Sequence, residues 1–296
     1  MAQARNGGVT LQYDTFGVSS DPPLLLIMGL GAQLTAWEEP FCQLLASGGY
    51  FVVRFDNRDT GLSSKTAGDP PDVAALFMRA LTGQDIGPVP YTLSDMAGDA
   101  VAVLDALGLH RAHVVGASMG GMIAQMVAIE HRDRLASLTS IMSTTGAPGV
   151  GAATPEALGA LLAPRPTERT EAIETGVKTW RIISGQHFDE AATRVRVAAA
   201  YDRCFYPQGA AFQLAAIAKV GDRTERLGLV QAPALVIHGR QDTLVNFSGG
   251  EATAAALAGS RLLLVEEMGH DLSPPLWPVL TRAVLDHVGA ADAFLS

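Results

Sequence analysis

The chain has 296 residues, of which 48 % are hydrophobic and 17 % charged, and its net charge is −9. This length suits one large α/β unit that carries an insertion. With no cluster of Lys and Arg to displace counterions from phosphates, the sequence argues against a nucleic-acid partner.

Cysteine usage and the apolar runs argue against further classes of protein. The two cysteines, Cys42 and Cys204, have no paired spacing, so neither a disulfide framework nor a zinc site is expected. Residues 1–10 are polar and lack the apolar core of a signal peptide. The apolar stretch 24–32 has about half the length of a membrane span. We therefore expect a cytoplasmic protein with no membrane partner, and the sequence does not indicate its oligomeric state.

Short apolar runs recur along the chain and alternate with helical segments. Val9–Phe16 alternates apolar and polar residues, which predicts an antiparallel edge strand. Six later runs are apolar on both faces: residues 24–27, 50–55, 112–115, 138–142, 234–237 and 262–265. Such runs are typical of central parallel strands covered by helices. The alternation predicts an α/β fold with a mostly parallel sheet and helices on both of its faces.

Two of the predicted helices have recognisable ends. Thr92, with Asp95 three residues later, forms a variant of the capping box. Gly108 is expected to end that helix. A last helix is predicted to begin at Pro274 and to run to His287.

Residues 144–225 interrupt the alternation of strands and helices. They show no strong strand signal, begin with a stretch rich in Gly and Pro, and continue as helical segments. An excursion of about eighty residues is too long for an unstructured loop. We therefore predict a helical cap, the name used below for residues 144–225, inserted in a core of residues 1–143 and 226–296. Residues 65–91 are expected to form a second, irregular wall near the same end of the sheet.

The most specific motif is Gly-Ala-Ser-Met-Gly at residues 116–120, which follows a predicted strand and leads into a helix. A nucleophile elbow needs this context, because the serine sits on a strained turn that exposes its Oγ. The two glycines avoid a clash across that turn. A phosphate-binding turn is the alternative, but the spacing is not G-x-G-x-x-G and the next strand ends without an acid for a ribose. We predict that Ser118 is the nucleophile.

A serine hydroxyl needs a base, and a histidine in the C-terminal part of the sheet can supply it. His270 follows the predicted last strand by a short turn, at the carboxyl end where sites of open α/β sheets lie. His238 ends a strand and His287 lies in the last helix, so both are expected to be structural or on the surface. We predict that His270 is the base.

An acid must orient the imidazole and stabilise its protonated form. Asp242 follows the strand at 234–237 and so lies at the same edge of the sheet as His270. Asp271 is adjacent to the histidine and is expected to point elsewhere, and Asp222 lies before the strand. Asp242 is therefore the predicted acid.

Two backbone N–H groups are needed to bind the oxyanion of the transition state. One is predicted to be that of Met119, the residue after the nucleophile. The other is predicted to be that of Leu30, in the Met-Gly-Leu-Gly turn after the first central strand. Met28, Gly29 and the cap residue Trp180 are expected to contact the substrate, which would be of medium size and hydrophobic. The alternative interpretation of the Met-Gly-Leu-Gly turn is an ordinary glycine-rich turn that binds no oxyanion.

The sequence resembles the α/β-hydrolase superfamily over nearly its whole length. The matching stretches are residues 56–63, 116–121, 239–242 and 269–270. The resemblance implies that Asp56 and Arg58 are structural and tie their loop near the elbow. Asp59 stands where most members have glycine, and Met28 stands where most have histidine.

The Met-Gly turn, residues 55–61 (Phe-Asp-Asn-Arg-Asp-Thr-Gly) and residues 180–185 (Trp-Arg-Ile-Ile-Ser-Gly) are similar to the aclacinomycin methylesterase group. That resemblance implies hydrolysis of a small-molecule carboxylic ester, a methyl ester on an aromatic polyketide in the named member. The expected acyl transfer through an acyl-enzyme needs no metal or cofactor. A C–C hydrolase or an aminopeptidase would keep the same three residues. The alternative from another class is a ligand-binding protein on a fold that has lost catalysis.

Overall fold

An eight-stranded sheet forms the centre of the molecule, which a computed structural model describes for residues 2–295. The strands are β1 (Ala2–Asn6), β2 (Val9–Phe16), β3 (Pro23–Ile27), β4 (Phe51–Phe55), β5 (Ala112–Ala117), β6 (Leu135–Ile141), β7 (Ala234–Gly239) and β8 (Arg261–Val265). They lie in the order β1-β2-β4-β3-β5-β6-β7-β8. β2 is antiparallel to both neighbours, and every other pair is parallel. The predicted mostly parallel sheet is confirmed.

The predicted edge position of Val9–Phe16 is wrong. This segment is an antiparallel strand, but β1 pairs with it along its outer side and takes the edge. Gly7, with φ of 55°, turns the chain between the two strands, a hairpin conformation that favours glycine. β1 gave little signal in the sequence because Ala4 is the one fully buried residue among its five.

Helices cover both faces of the sheet. They are α1 (Glu39–Ser47), α2 (Val73–Leu81), α3 (Leu93–Ala106), α4 (Met119–Glu130), α5 (Pro155–Leu162), α6 (Arg169–Ile183), α7 (Glu190–Arg203), α8 (Gly209–Val220), α9 (Thr224–Leu227), α10 (Ser248–Ala256) and α11 (Trp277–Leu295). α3 and α4 share one hydrophobic cluster with the sheet, and α1 and α11 share the other. In β3, Leu25 and Ile27 belong to the first cluster, whereas Leu24 and Leu26 belong to the second. This strand is therefore apolar on both faces, as its sequence predicts.

The observed helix ends agree in part with those predicted from the sequence. The Thr92 side chain accepts a hydrogen bond from Asp95 N, and the Asp95 carboxylate accepts one from Thr92 N, so the capping box is confirmed. The last helix opens with a 3₁₀ turn over Pro274–Leu276 and continues as α11 beyond the predicted end at His287. The segment 65–91, expected to be irregular, contains α2, which Asp72 caps through Ala75 N.

The chain between β6 and β7 is helical and holds α5 to α9, with no strand among residues 142–233. The domain boundaries at residues 144 and 225 stay a prediction. Arg223 joins the two ends of this insertion, because its guanidinium donates to Thr144 O at 2.7 Å and to Gly221 O at 2.8 Å. Its Nε donates to Gln125 Oε1 in α4 at 3.0 Å. Burial lowers the pKa of Arg223 to about 10, so the side chain keeps its charge at neutral pH.

We expect Arg223→Met to lower the free energy of unfolding by about 2–4 kcal/mol, because three buried acceptors lose their donor. Arg282→Met, on the exposed side of α11, removes the same charge and should change stability by less than about 0.5 kcal/mol. Urea unfolding followed by circular dichroism measures both. Equal stabilities of the two variants would contradict this role of Arg223.

Candidate active site

Ser118 occupies a sharp turn between the end of β5 and the start of α4. Its backbone has φ of 57° and ψ of −121°, a region that costs on the order of 1–3 kcal/mol for a residue with a side chain. Its amide donates to Ile141 O at 2.9 Å, and its carbonyl oxygen accepts from Ser143 Oγ at 2.8 Å. The neighbouring strand and loop therefore hold the strained conformation.

The glycines of the motif are required by close backbone contacts. A Cβ atom on Gly116 would lie 2.0 Å from Gly120 O, and one on Gly120 would lie 2.1 Å from Ile27 O. Any side chain at either position would push α4 away from β5 or β3. The elbow geometry expected for residues 116–120 is therefore present.

The structure brings together the three side chains predicted for catalysis. Ser118 Oγ lies 2.9 Å from His270 Nε2, and His270 Nδ1 lies 2.7 Å from Asp242 Oδ2. His270 and Asp242 are 5 % and 3 % exposed, so their contact is shielded from water. All three lie in the connections after the carboxyl ends of β5, β7 and β8, at one edge of the sheet.

The Asp242 carboxylate accepts hydrogen bonds on both of its oxygens. Oδ1 accepts from Leu244 N at 2.9 Å and from Val245 N at 2.8 Å, while Oδ2 faces His270. Burial disfavours the charged form, but the charges of His270 and His238 and their hydrogen bonds to the carboxylate lower the pKa of Asp242 to about 2. The carboxylate is therefore ionised at neutral pH.

His238 is a second histidine on Asp242 that the sequence analysis did not connect with the site. The ring is fully buried, and its Nε2 lies 2.8 Å from Val245 O and 3.3 Å from Asp242 Oδ2. A proton on Nε2 satisfies both oxygens, which leaves Nδ1 without a hydrogen bond among the described residues. The spacing of four residues to Asp242 across the turn after β7 is the signal that could have revealed this contact.

The end of α6, in the cap, is hydrogen-bonded to the loop that carries His270. His270 N donates to Ile183 O at 2.7 Å, and the Asp271 carboxylate accepts from Gly185 N at 2.9 Å. A Cβ atom on Gly269 would lie 2.2 Å from Gly185 N, so the two backbones touch. Asp271 points away from His270, as expected, and it fixes this loop against the cap.

The predicted substrate-contacting residues lie at different depths. A Cβ atom on Gly29 would lie 3.0 Å from Ser118 Cβ, so this glycine faces the nucleophile directly. Met28 is buried in the cluster shared with α1 and α11, and its carbonyl accepts from Asn57 Nδ2 at 2.8 Å. Trp180 lies in the last turn of α6, one turn before the contact with His270, and is partly exposed.

The amides of Met119 and Leu30 are free to bind a ligand. Met119 is the first residue of α4, so its N–H has no partner within the helix. Within residues 2–295, neither amide donates a hydrogen bond. The next amide along the turn, Gly31 N, donates instead to Gln213 Oε1 of α8 at 2.8 Å.

Asp56 and Arg58 have the structural positions that the resemblance implies. Asp56 is fully buried and accepts from Leu34 N at 2.7 Å and from Arg203 of α7 at 2.8 Å. Arg58 pairs with Asp99 of α3 at 2.6 Å. Asp59 has φ of 66°, which explains why most members have glycine here; its carboxylate also accepts from Thr66 Oγ1 at 2.8 Å.

A separate groove of about 380 Å³ lies between the cap and the start of the last helix. It is lined by Ser184, His187, Phe188, Asp189, Ala192, Thr193, Arg196, Ser273, Pro274 and Pro275. His187 pairs with Glu267 at 2.7 Å, and the Ser273 hydroxyl donates to Asp271. None of Ser118, Asp242 and His270 lines this groove, so we place the chemistry at the elbow.

Among residues 2–295, no group of three or more His, Cys, Asp or Glu side chains is arranged to hold a metal ion. Over the same range, no helix has the length and apolar character needed to cross a membrane.

The chain is similar to known proteins along almost its whole length. The model of the α/β-hydrolase fold family matches residues 22–274, which include Ser118, Asp242 and His270. A rhodomycin D methylesterase of Streptomyces peucetius is 29 % identical over 97 % of each chain. A 3-oxoadipate enol-lactonase of Acinetobacter baylyi is 27 % identical over 87 % of this chain and 85 % of its own.

A solved structure of similar shape agrees with these matches. The crystal structure of a hydrolase from Pseudomonas aeruginosa has a TM-score of 0.72 and 26 % identity, and the match covers 97 % of this chain and 98 % of that one. The resemblance stated from the sequence, including its similarity to the methylesterase group, is thereby confirmed. The chain belongs to the α/β-hydrolase fold family.

Proposed function

We propose that this protein is a serine hydrolase that cleaves carboxylic esters through an acyl-enzyme on Ser118. The observation that carries the proposal is the continuous contact from Ser118 Oγ through His270 to Asp242, at 2.9 and 2.7 Å. A serine held within reach of a histidine, which is itself oriented by a buried carboxylate, is the arrangement that activates a hydroxyl for attack.

The first half of the reaction forms the acyl-enzyme. His270 Nε2 takes the proton of Ser118 Oγ as the oxygen attacks the ester carbonyl carbon. Asp242 stays ionised and stabilises the positive charge that develops on the imidazole. The C–O bond to the alcohol then breaks, and the alcohol leaves with the proton from His270. In the second half, water loses a proton to His270 and attacks the acyl carbon, which releases the acid and restores Ser118.

The oxyanion is proposed to bind the amides of Met119 and Leu30. Neither N–H group has a partner among residues 2–295, and Gly29 lets the backbone just before Leu30 approach Ser118 closely. Donors fixed in advance in this way need no reorganisation when the charge appears on the carbonyl oxygen. Met28, which replaces the usual histidine, leaves this role intact because the donors are backbone groups.

The preferred substrate is proposed to be a methyl ester with a hydrophobic, polyketide-like acyl group. The named similarity to a rhodomycin D methylesterase over the whole chain supports this class. Gly29 and the cap residue Trp180 are proposed to contact the acyl group. C–C bonds and peptide amides could be cleaved by the same three residues, so a panel that includes such substrates separates the activities. A purely ligand-binding role is disfavoured because all three side chains are present and in contact.

Ser118→Ala should lower kcat/KM for p-nitrophenyl acetate and butyrate by about four orders of magnitude, because the nucleophile is lost. Ser47→Ala, exposed at the end of α1 on the opposite edge of the sheet, is the control and should match the wild type. Equal activity of wild type and Ser118→Ala would show that another residue attacks. If the wild type hydrolysed none of the esters, the proposed function would be overturned.

Asp242→Asn should lower kcat by about three to four orders of magnitude, because the neutral amide cannot stabilise the imidazolium. KM should change little, since Asp242 is buried behind His270. Asp222→Asn, exposed before α9, removes the same charge and should leave kcat unchanged. Steady-state kinetics between pH 6 and 9 measure both. A small effect at position 242 would place the orienting acid elsewhere.

A further inference from the structure

Arg165 brings a positive charge from the cap to the turn that carries the proposed oxyanion donor. The residue lies between α5 and α6. Its Nη2 is 3.8 Å from the position that a Cβ atom would occupy on Gly31, and Ala210 Cβ is 3.7 Å from the same point. Gly31 is itself exposed, so a ligand can reach the space between these groups.

The Arg165 guanidinium has no partner in the described part of the chain. Five other arginines of the cap pair with acids: Arg169 with Asp202, Arg181 with Glu190, Arg194 with Glu174, Arg196 with Glu38 and Arg203 with Asp56. Arg165 forms no hydrogen bond, ion pair or ring contact with any of residues 2–295. Arg223, the remaining arginine of the cap, donates to three oxygens, so Arg165 is the one cap arginine without a partner among residues 2–295.

Burial lowers the pKa of the Arg165 guanidinium, although the residue as a whole is exposed. A desolvated charge without a partner is unfavourable, and an anion that enters the space would relieve that cost.

The backbone around Arg165 limits its freedom. Pro164 and Pro166 flank it directly. Proline fixes its own φ near −65° and restricts the residue before it to extended conformations. Arg165 therefore loses little backbone entropy when it holds a ligand, unlike an arginine on a flexible loop.

The distance between Arg165 and Ser118 Oγ is limited by the contact of Gly29 with the nucleophile. A Cβ atom on Gly29 would lie 3.5 Å from Ser118 Oγ, and Gly31 follows two residues later. The Cα atoms of two residues two apart are at most about 7 Å from each other, so the guanidinium lies within roughly 18 Å of the nucleophile once the two Cα–Cβ bonds are included. A substrate of medium length can reach both groups.

We propose that Arg165 binds a carboxylate on the substrate, so that the preferred ester has an apolar acyl chain ending in an acid. This inference rests on the proposed ester hydrolysis at Ser118 and specifies its substrate class. The planar guanidinium can donate two parallel hydrogen bonds to a carboxylate. The ester carbonyl would lie against Met119 and Leu30, with the acid at the far end against Arg165.

The test compares monomethyl esters of straight-chain dicarboxylic acids, from succinate to sebacate, with the dimethyl esters of the same acids. Each pair has the same chain and differs in one negative charge. The proteins are the wild type, Arg165→Gln and Arg165→Lys. Arg169→Gln is the matched control, because this residue is four positions away and its ion pair with Asp202 is on the surface. Methanol release at pH 7.5 gives kcat/KM for every combination.

We expect the wild type to prefer the half-ester of the best chain length by about 10- to 100-fold, as charge-assisted hydrogen bonds imply. Arg165→Gln should abolish this preference while hydrolysis of the dimethyl ester changes less than two-fold. Arg165→Lys should retain part of the preference, and Arg169→Gln all of it. A preference for dimethyl esters at every length, or an equal loss of both activities in Arg165→Gln, would overturn the inference.

A measurement of monomethyl-ester binding distinguishes a failure of this inference from a failure of the proposed function. Calorimetry with Ser118→Ala should show binding of monomethyl suberate. The double variant Ser118→Ala with Arg165→Gln should show no binding. Such binding without turnover of any ester by the wild type would support the carboxylate site and contradict the hydrolase. Turnover of p-nitrophenyl esters with no Arg165-dependent binding would contradict the carboxylate site alone.

Discussion

The positive φ of Ser118 is the constraint on which the site depends. It points the side chain out of the connection between β5 and α4 towards the carboxyl edge of the sheet. The conformation is unfavourable for serine, and it is maintained because Gly116, Gly120 and Ile27 let the helix pack directly on two strands. The placement of the hydroxyl is thus a consequence of close backbone packing in the centre of the sheet.

The other two side chains reach Ser118 from the loops after β7 and β8, two and three strands away from β5 in the sheet. β6 and β7 lie beyond β5 in the sheet, and the loops after β7 and β8 carry Asp242 and His270. Asp242 is held by two backbone amides of its own turn and faces two histidines, so the imidazole of His270 has a fixed partner. The chemistry that we propose therefore needs side chains only from rigid connections at one edge.

The cap is attached to this edge at several points. The end of α6 is hydrogen-bonded to the His270 loop, Arg203 pairs with the buried Asp56, and Arg223 joins both ends of the insertion. In this structure the cap is therefore linked directly to the residues that position the proposed base. A conformational change of the cap would therefore affect the position of His270 as well as the binding of the substrate.

The sequence predicts those parts of the molecule that depend on local signals. Continuous apolar runs revealed the central strands, and the motif around Ser118 revealed the elbow, because both are short and adjacent in the chain. β1 and α2 were missed since one is short and mostly exposed and the other lies in a segment rich in Gly and Pro. The contact of His238 with Asp242 and the approach of Arg165 to Gly31 depend on tertiary packing, which no local pattern expresses.

The most direct test of the account is covalent labelling with an alkyl fluorophosphonate, followed by peptide mass spectrometry. The reagent transfers its phosphonyl group to an activated serine oxygen and releases fluoride. We expect one label per chain, on Ser118, and no label in Ser118→Ala. A label on another residue, or an unmodified wild type, would contradict the claim that His270 and Asp242 activate this serine.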